Sequence, residues 1–195
     1  MLSSPQQSGM VTLHQPTGQM LRSSLIETPL GPVRAISDGL GIRLLEFDNE
    51  RRVATQMRAM HKYDAREVES GTDRVLDQLE AELRRYFAGS LREFTVPLAA
   101  PGTGFQESVW RVLRGIPYGR TWSYAQVAEA IGRPTAVRAV ARANGDNRVA
   151  IIIPCHRVIG SDGSMTGYAA GIQRKQWLLA HERGEPVNGL WAVGA

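Results

Sequence analysis

The first half of the chain alternates short apolar stretches with turn residues. Two turns rich in Pro, Gly and Asp, at 29–32 and 37–39, divide residues 23–47 into three apolar stretches. This spacing predicts three antiparallel strands joined by tight turns. Residues 48–71 are charged and have no hydrophobic period, so we expect them to be irregular. Across 72–89, leucines recur at helical spacing and a glycine follows, which predicts one helix.

The second half has the spacing of short amphipathic helices. Apolar residues between 105 and 116 recur at helical spacing, and Thr103 with Gln106 can form a capping box ahead of them. Ser123 with Gln126 can form a second capping box ahead of another short apolar period. Each box predicts the start of a helix.

Two of these short helices form a helix-turn-helix candidate. They are predicted on either side of Gly132 and Arg133, with Pro134 in the first turn of the second helix. Arg138 and Arg142 lie four residues apart on that second helix, on a face other than its apolar face. This face either contacts DNA as a recognition helix or is the solvated surface of a small helical bundle.

The pattern as a whole predicts an α+β protein with two small domains. Residues 96–104 are rich in Pro, Gly and Ala, and are the expected linker between a first domain at 23–95 and a second at 105–184. Residues 1–22 are rich in Ser, Gln and Gly and have no period, so we expect a mobile tail there. We expect a second tail at 185–195.

Composition and charge narrow the class of protein. The 195 residues are 43% hydrophobic and 22% charged, as in ordinary globular proteins. No apolar run is long enough for a membrane span and no secretory signal is evident, so we expect a cytoplasmic protein. Residues 101–195 hold 11 Lys and Arg against 6 Asp and Glu and so account for the net charge of +4. This excess favours nucleic-acid binding, although a solvated basic surface gives the same count.

The single cysteine, Cys155, excludes an internal disulfide and a Cys-rich zinc site. It follows an apolar run at 149–153, which we interpret as a short buried strand. The adjacent His156 suggests a Cys–His nucleophile, because the thiolate is the reactive form and an imidazole can take its proton. Neighbours on a strand point to opposite faces, so the strand must end at Pro154 and turn, or a water must relay the proton. A small buried core cysteine is the alternative.

The segments after the cysteine are less specific. The glycine-rich stretch 161–171 suits either a ligand-binding loop or a plain surface loop. A final helix is predicted from Ile172 to about Arg183, with Trp177 in the core. Glu182 on this helix becomes important only if a histidine needs a carboxylate to fix its tautomer, as in a catalytic triad.

Taken together, these residues resemble a known family. The hexapeptide IPCHRV at 153–158, with Asn147 eight residues before the cysteine and a Gly-Tyr pair at 167–168, is similar to the active-site signature of the O6-alkylguanine-DNA alkyltransferases (methylated-DNA–protein-cysteine methyltransferases). The likeness is dense over 105–182 and looser over 24–94. It implies a small ribonuclease-H-like first domain and a mostly helical second domain that carries the helix-turn-helix.

The resemblance also implies a catalytic set. Cys155 would take the alkyl group, and His156 would deprotonate it through a water. Glu182 would orient the imidazole and balance its charge, and Asn147 would link the helix-turn-helix to the cysteine segment. The transfer would be irreversible, would stop at one alkyl group per protein, and would need no cofactor and no metal.

By the same resemblance, the partner is double-stranded DNA that contains an alkylated guanine. Arg138 would fill the space left by a flipped nucleotide, and Tyr124 would press on its phosphate, with the helix-turn-helix in the minor groove. The other implied DNA contacts are Arg142, Thr135 and Ala136. The implied substrate pocket is lined by Tyr168, Ala169, Ala170, Tyr124 and Val158. We expect a monomer that binds DNA singly or cooperatively and has no membrane partner.

Three positions depart from the family pattern. Ala170 stands where many members have glycine, so we expect a narrower pocket that disfavours bulky groups such as benzyl. Ala169 replaces a serine found in some members, which removes a hydroxyl near the guanine oxygen. Ala141 replaces a usual glycine on the recognition helix and should favour that helix.

Two other functions fit part of the pattern. A damage-sensing or regulatory helix-turn-helix protein would bind DNA without chemistry, but sensors that resemble this family lack the cysteine. A Cys–His–Glu hydrolase would turn over repeatedly and would not need Arg138. The sequence therefore favours DNA repair by alkyl transfer from O6-alkylguanine to Cys155, with O4-alkylthymine as a second candidate substrate.

Overall fold

The computed structural model describes residues 20–165 and 167–187. The strands of its first half are β1 (Leu21–Ile26), β2 (Val33–Ser37), β3 (Ile42–Phe47) and β4 (Val68–Ser70). They form one sheet in the order β3-β2-β1-β4, in which β2 is antiparallel to both β1 and β3, and β4 is parallel to β1. The prediction of three antiparallel strands is confirmed, and β4 is an addition to it.

The first strand begins earlier than the sequence predicts. Leu21 and Arg22 belong to β1, where they pair with β4, and Leu21 is fully buried. The predicted tail at 1–22 was therefore wrong at its end, because one apolar residue after a polar stretch carries no alternating signal. Residues 1–19 and 188–195, which make up most of both predicted tails, lie outside the described residues.

Residues 48–71 are not irregular, contrary to the prediction. They contain α1 (Glu50–His61) and β4, and the side chain of Asn49 caps α1 by accepting a backbone hydrogen bond at 3.0 Å. Within α1 only Gln56 and Met60 are buried, so no apolar stripe marks this helix in the sequence. Met60 packs against apolar residues of β1, β2 and β3 on one face of the sheet.

The opposite face of the sheet packs against α2 (Arg74–Phe87), which confirms the helix predicted over 72–89. The side chain of Asp73 caps this helix by accepting two backbone hydrogen bonds of 2.9 Å. Gly89 follows it in the left-handed region at φ +72°. The buried leucines of α2 join a core cluster that continues into the second half of the chain.

The second half is mostly helical. Its helices are α3 (Gly104–Arg114), α4 (Tyr124–Ala130), α5 (Val137–Gly145) and α6 (Ile172–Arg183). A 3₁₀ turn at Cys155–Arg157 leads into β6 (Val158–Ile159), which pairs in parallel with β5 (Trp122–Ser123). Both predicted capping boxes are present, one ahead of α3 and one ahead of α4.

The predicted pair of helices is present as α4 and α5, which pack against each other. One correction concerns the start of α5, which is Val137 rather than Pro134. Pro134 lies in a separate turn that is closed by a 2.9 Å hydrogen bond from the N–H of Ala136 to the carbonyl of Arg133. Gly132 follows α4 at φ +71°, as expected for a helix-ending glycine.

Residues 149–153 do not form the predicted strand. Val149 makes a single bridge to Leu45, after which the chain turns, and Ile151 adopts φ +70°. An apolar run looks the same in the sequence whether it is a buried strand or a buried turn, so the pattern could not separate the two.

The open edge of β3 is covered by two later segments of the chain. Ile42 exchanges backbone hydrogen bonds of 2.8 and 2.9 Å with residues 97 and 99 of the predicted linker. Leu45 exchanges two of 2.8 Å with the segment 148–150 that leads to the cysteine. The first half of the chain therefore positions the cysteine segment through backbone pairing.

Candidate active site

Cys155 opens the 3₁₀ turn directly after Pro154 and is 7% exposed. Its Sγ lies 3.1 Å from Nδ2 of Asn147, which donates a hydrogen bond to it. Burial raises the pKa of the thiol to about 11, although the hydrogen bond from Asn147 opposes this. The thiol is therefore protonated at neutral pH, and a base must remove its proton before it can act as a nucleophile.

Asn147 binds both ends of the segment that precedes the cysteine. Its Nδ2 donates to the carbonyl of Ile153 at 2.8 Å, and its Oδ1 accepts from the N–H of Val149 at 3.0 Å. The side chain is 3% exposed. Asn147 thus fixes the turn over 149–153 and contacts the sulfur with the same amide group.

His156 and Glu182 form a buried pair beside the cysteine. Nε2 of His156 lies 2.8 Å from Oε1 of Glu182, and neither side chain is exposed. The carboxylate also pairs with Arg157, at 2.8 Å to Nε and 2.9 Å to Nη2. Burial alone would raise the pKa of Glu182, but His156 and Arg157 hold it well below its usual range. Glu182 is therefore ionised.

The groups around Glu182 determine the tautomer of His156. The carboxylate also accepts hydrogen bonds from the hydroxyl of Tyr86 at 2.8 Å and from the N–H of Gly119 at 3.1 Å. An ionised carboxylate can only accept, so Nε2 of His156 carries the proton and Nδ1 carries the lone pair. Nδ1 is buried and has no hydrogen-bond partner among the described residues. Burial lowers the pKa of His156 despite the attraction of Glu182, so the ring is a neutral base at pH 7.

A small pocket adjoins the cysteine. Tyr168, Ala169 and Ala170 lie in its lining, where the sequence placed them. The hydroxyl of Tyr168 is buried and has no hydrogen-bond partner among the described residues. Tyr124 is half-buried, and its hydroxyl lies close to Gly167, another residue of this lining. Val158 is fully buried and is not part of the lining.

The first half of the chain also contributes to this pocket, through Glu46 and Arg52. Nε of Arg52 lies 2.7 Å from the Glu46 carboxylate, and its Nη2 donates to the carbonyl of Gly145 at 2.8 Å. Gln56, on the same helix, donates to the carbonyl of Asn147 at 3.2 Å. Burial raises the pKa of Glu46, although Arg52 opposes this. Helix α1 therefore holds the chain between α5 and the cysteine.

The predicted DNA contacts lie at the outer side of the helix-turn-helix. Arg138, Arg142 and Thr135 are exposed and Ala136 is half-buried. The side chain of neither arginine makes a hydrogen bond or ion pair with another residue in the described part of the chain. The last turn of α5 also lines the cysteine pocket. One short helix therefore connects an exposed arginine face to the thiol.

Several residues of the site were missed by sequence reasoning. Lys175 is fully buried and donates to the carbonyl of Val158 at 2.5 Å, and burial lowers its pKa to about 8. Lys175 lies on the predicted final helix, but no pattern in the sequence indicates that this lysine is buried. Glu46 and Arg52 are six residues apart across a strand–helix junction, a separation for which no pairing rule exists.

No group of three or more His, Cys, Asp or Glu within 20–165 and 167–187 could hold a metal ion. In the same part of the chain, no helix is long and apolar enough to cross a membrane.

Comparison with protein-family models decides the family. Residues 21–100 match the model "6-O-methylguanine DNA methyltransferase, ribonuclease-like domain", and residues 104–184 match "6-O-methylguanine DNA methyltransferase, DNA binding domain". The chain belongs to the 6-O-methylguanine DNA methyltransferase family. The family resemblance and the fold class expected from the sequence, a ribonuclease-like domain followed by a DNA-binding domain, are both confirmed.

Relatives in this family match most of the chain. The methylated-DNA–protein-cysteine methyltransferase of Shigella flexneri is 47% identical over 160 residues, which cover 80% of this chain and 92% of the relative. That of Mycobacterium bovis is 44% identical over 167 residues, or 84% and 93% of the two chains. A crystal structure of Mycobacterium tuberculosis OGT in complex with DNA superposes with a TM-score of 0.72 at 39% identity and covers 88% of this chain and 98% of that one.

Proposed function

We propose that this protein repairs DNA by transferring the alkyl group of O6-alkylguanine to Cys155, once per molecule. The observation that carries the proposal is a buried thiol in a small pocket beside a histidine whose tautomer is fixed by Glu182. Relatives with the name methylated-DNA–protein-cysteine methyltransferase support it at 40–47% identity. No cofactor is needed, because sulfur itself is the acceptor.

The chemistry is a displacement at carbon. Nδ1 of His156 accepts the proton of Cys155, directly or through one water, and the thiolate attacks the alkyl carbon. The sulfur–carbon bond forms as the carbon–O6 bond breaks, and the leaving guanine anion takes up the proton that His156 removed from the thiol, directly or by exchange with water. The buried hydroxyl of Tyr168 is available to donate to the guanine oxygen. The product is a thioether, which has no proton left to remove and no route back to the thiolate.

The target base must leave the duplex to reach this pocket. The alkylated oxygen is inaccessible within the base stack, and extrusion costs a few kcal/mol. We assign Arg138 to the space left by the base, and Arg142, Thr135 and Ala136 to the adjacent DNA surface. Tyr124, at the start of α4, would contact the extruded nucleotide. The superposition on a relative in complex with DNA supports DNA as the partner.

The decisive experiment is the intact mass of the protein after incubation with excess duplex that contains O6-methylguanine. We expect a gain of one methyl group, which stops at one equivalent and is absent from Cys155→Ala. Binding without any mass gain would instead support a damage sensor. Continued turnover beyond one equivalent would support a thiol hydrolase. Monomeric state, cooperativity on DNA, activity on O4-alkylthymine and cytoplasmic location stay predictions from the sequence.

A further inference from the structure

Helix α2 of the first half reaches the histidine–glutamate pair through one side chain. Tyr86 is fully buried, and its hydroxyl donates to Oε1 of Glu182 at 2.8 Å. Oε1 is the same oxygen that faces Nε2 of His156. Tyr86 and Glu182 are 96 residues apart in the chain, so the contact exists only when both halves are folded together.

We propose that Tyr86 is a positioning residue for alkyl transfer, which acts by fixing the charge and orientation of Glu182 toward His156. This inference rests on the proposed function. The phenol contacts neither the sulfur pocket nor the imidazole by hydrogen bond, so its influence must pass through the carboxylate. Through Tyr86, the first half of the chain would take part in alkyl transfer and not only support the fold of the second half.

Three of the five donors to the Glu182 carboxylate meet at one oxygen. Oε1 accepts from Tyr86, from His156 and from Nη2 of Arg157, whereas Oε2 accepts from Nε of Arg157 and from Gly119. A carboxylate that loses the phenol keeps its ion pair, but its negative charge is less stabilised. That charge then attracts a proton on His156 more strongly, and the imidazole becomes harder to keep neutral.

Tyr86 is suited to this role because it stays neutral. Burial raises the pKa of its phenol well above the ordinary value, and the neighbouring Glu182 raises it further. It therefore donates a hydrogen bond without adding a charge. The other charged groups that act on the pair are Arg157 and Lys175. Burial and the Glu182 carboxylate raise the pKa of Tyr118, so that its phenol adds no charge.

The test is Tyr86→Phe, with Tyr118→Phe as the matched control. The Tyr118 ring packs edge-on against Tyr86 at 6.1 Å, but its hydroxyl makes no hydrogen bond to another described residue. The readout is the single-turnover rate of methyl transfer to Cys155 from excess O6-methylguanine duplex between pH 5 and 9, below the unfolding temperature of each variant. A lost hydrogen bond to a charged group corresponds to about a tenfold change in rate.

We expect Tyr86→Phe to move the acid limb of its pH profile to higher pH, so that transfer slows about tenfold on that limb and little above it. Tyr118→Phe should leave the profile unchanged. A rate on the acid limb within about twofold of the unmutated protein, or a slower rate at every pH with an unmoved acid limb, would overturn the proposal. If Tyr86→Phe does not fold, the same profile can be measured with 3-fluorotyrosine at position 86, which is a stronger hydrogen-bond donor of similar shape. The acid limb should then move to lower pH, and an unmoved limb would be equally decisive against the role.

The experiment separates this inference from the proposed function. If the unmutated protein does not methylate Cys155, the proposed function itself fails. If it does methylate Cys155 and the variants at position 86 behave normally, only the role of Tyr86 fails.

Discussion

Replacing Glu182 by glutamine tests the buried charge network at the centre of the site. The carboxylate accepts five hydrogen bonds, three at Oε1 and two at Oε2. Glutamine retains the shape but offers only one acceptor oxygen. With that oxygen at the Oε1 position, the donors Nε of Arg157 and N–H of Gly119 would still face an NH₂ group. At least two of the five hydrogen bonds are therefore lost in either orientation of the amide.

The expected loss of stability follows from these contacts. Hydrogen bonds to a charged group contribute about 1.5–3 kcal/mol each, so two of them correspond to about 3–6 kcal/mol. Breaking a buried ion pair costs about 3–5 kcal/mol, because the remaining charge has no partner. Arg157 would be that charge, since its side chain is only 9% exposed. The hydrogen-bond estimate and the ion-pair estimate both give a loss of about 4 kcal/mol in the free energy of unfolding at pH 7.

The stability lost in Glu182→Gln should become smaller as the pH falls. The pKa of Glu182 is lower in the folded protein than in the unfolded chain, so its contribution is fully present above the unfolded value of about 4.3. The contribution disappears as the pH falls from there toward the folded pKa. The difference between the unmutated protein and Glu182→Gln should thus be largest at neutral pH and should shrink below about pH 4.

Urea unfolding at a series of pH values measures this difference. Glu80→Gln is the matched control, because Glu80 is exposed on α2 and its one ion pair among the described residues is with exposed Arg84, at 2.9 Å. Such a surface pair contributes about 0.5 kcal/mol or less. A loss of less than about 1 kcal/mol for Glu182→Gln would contradict this role of the buried carboxylate. So would a difference in stability that stays constant down to the lowest pH at which the protein folds.

Three further predictions concern DNA, the pocket and the contact between the two halves. Arg138→Ala should slow repair of duplex DNA about tenfold or more and leave the reaction with free O6-methylguanine unchanged, because only in the duplex must the base be extruded. Equal losses of rate on both substrates would contradict this role. Ala170→Gly should raise the rate of reaction with O6-benzylguanine about tenfold relative to that with O6-methylguanine, because one methyl group is removed from the pocket lining. An unchanged ratio of the two rates would show that Ala170 does not limit the size of the alkyl group. Arg52→Met should destabilise the protein by about 3 kcal/mol at pH 8, because Glu46 is left buried without its partner. The loss should be smaller at pH 5, because Glu46, whose pKa burial already raises, then takes up a proton. Denaturant unfolding at both pH values would show a pH-independent loss if Glu46 were not involved.

Local signals explain why several elements could be predicted. The capping boxes ahead of α3 and α4 depend on residues three positions apart, and the same side chains make those bonds in the structure. Helix α2 has an unbroken stripe of buried leucines. Such elements follow from short-range chemistry, which the linear sequence contains in full.

The features that could not be predicted depend on distant contacts. Helix α1 buries a glutamine because Gln56 donates to the carbonyl of Asn147, 91 residues away, so its hydrophobic pattern is weak. Ile151 adopts a positive φ, which is unfavourable for a β-branched residue. The sequence therefore offered no reason to predict a turn there, and the apolar run around Ile151 favoured a strand. Cys155 and His156 could be proposed as a nucleophile and its base from their residue types, whereas the roles of Asn147 and Glu182 came from the family resemblance. The buried Tyr86 and Glu46 were visible as part of the site only in the structure.

The pairing along the edge of β3 also determines how the chain can be divided. A fragment that ends near residue 100 would lose the partners of Leu45 at 148–150, and its sheet would have an open edge that can pair with other molecules. It would also lose the part of the main core contributed by the helices of the second half. The two regions that match separate family models are therefore expected to unfold in one cooperative transition, and a gene cut between them should give an aggregating fragment instead of an independent domain.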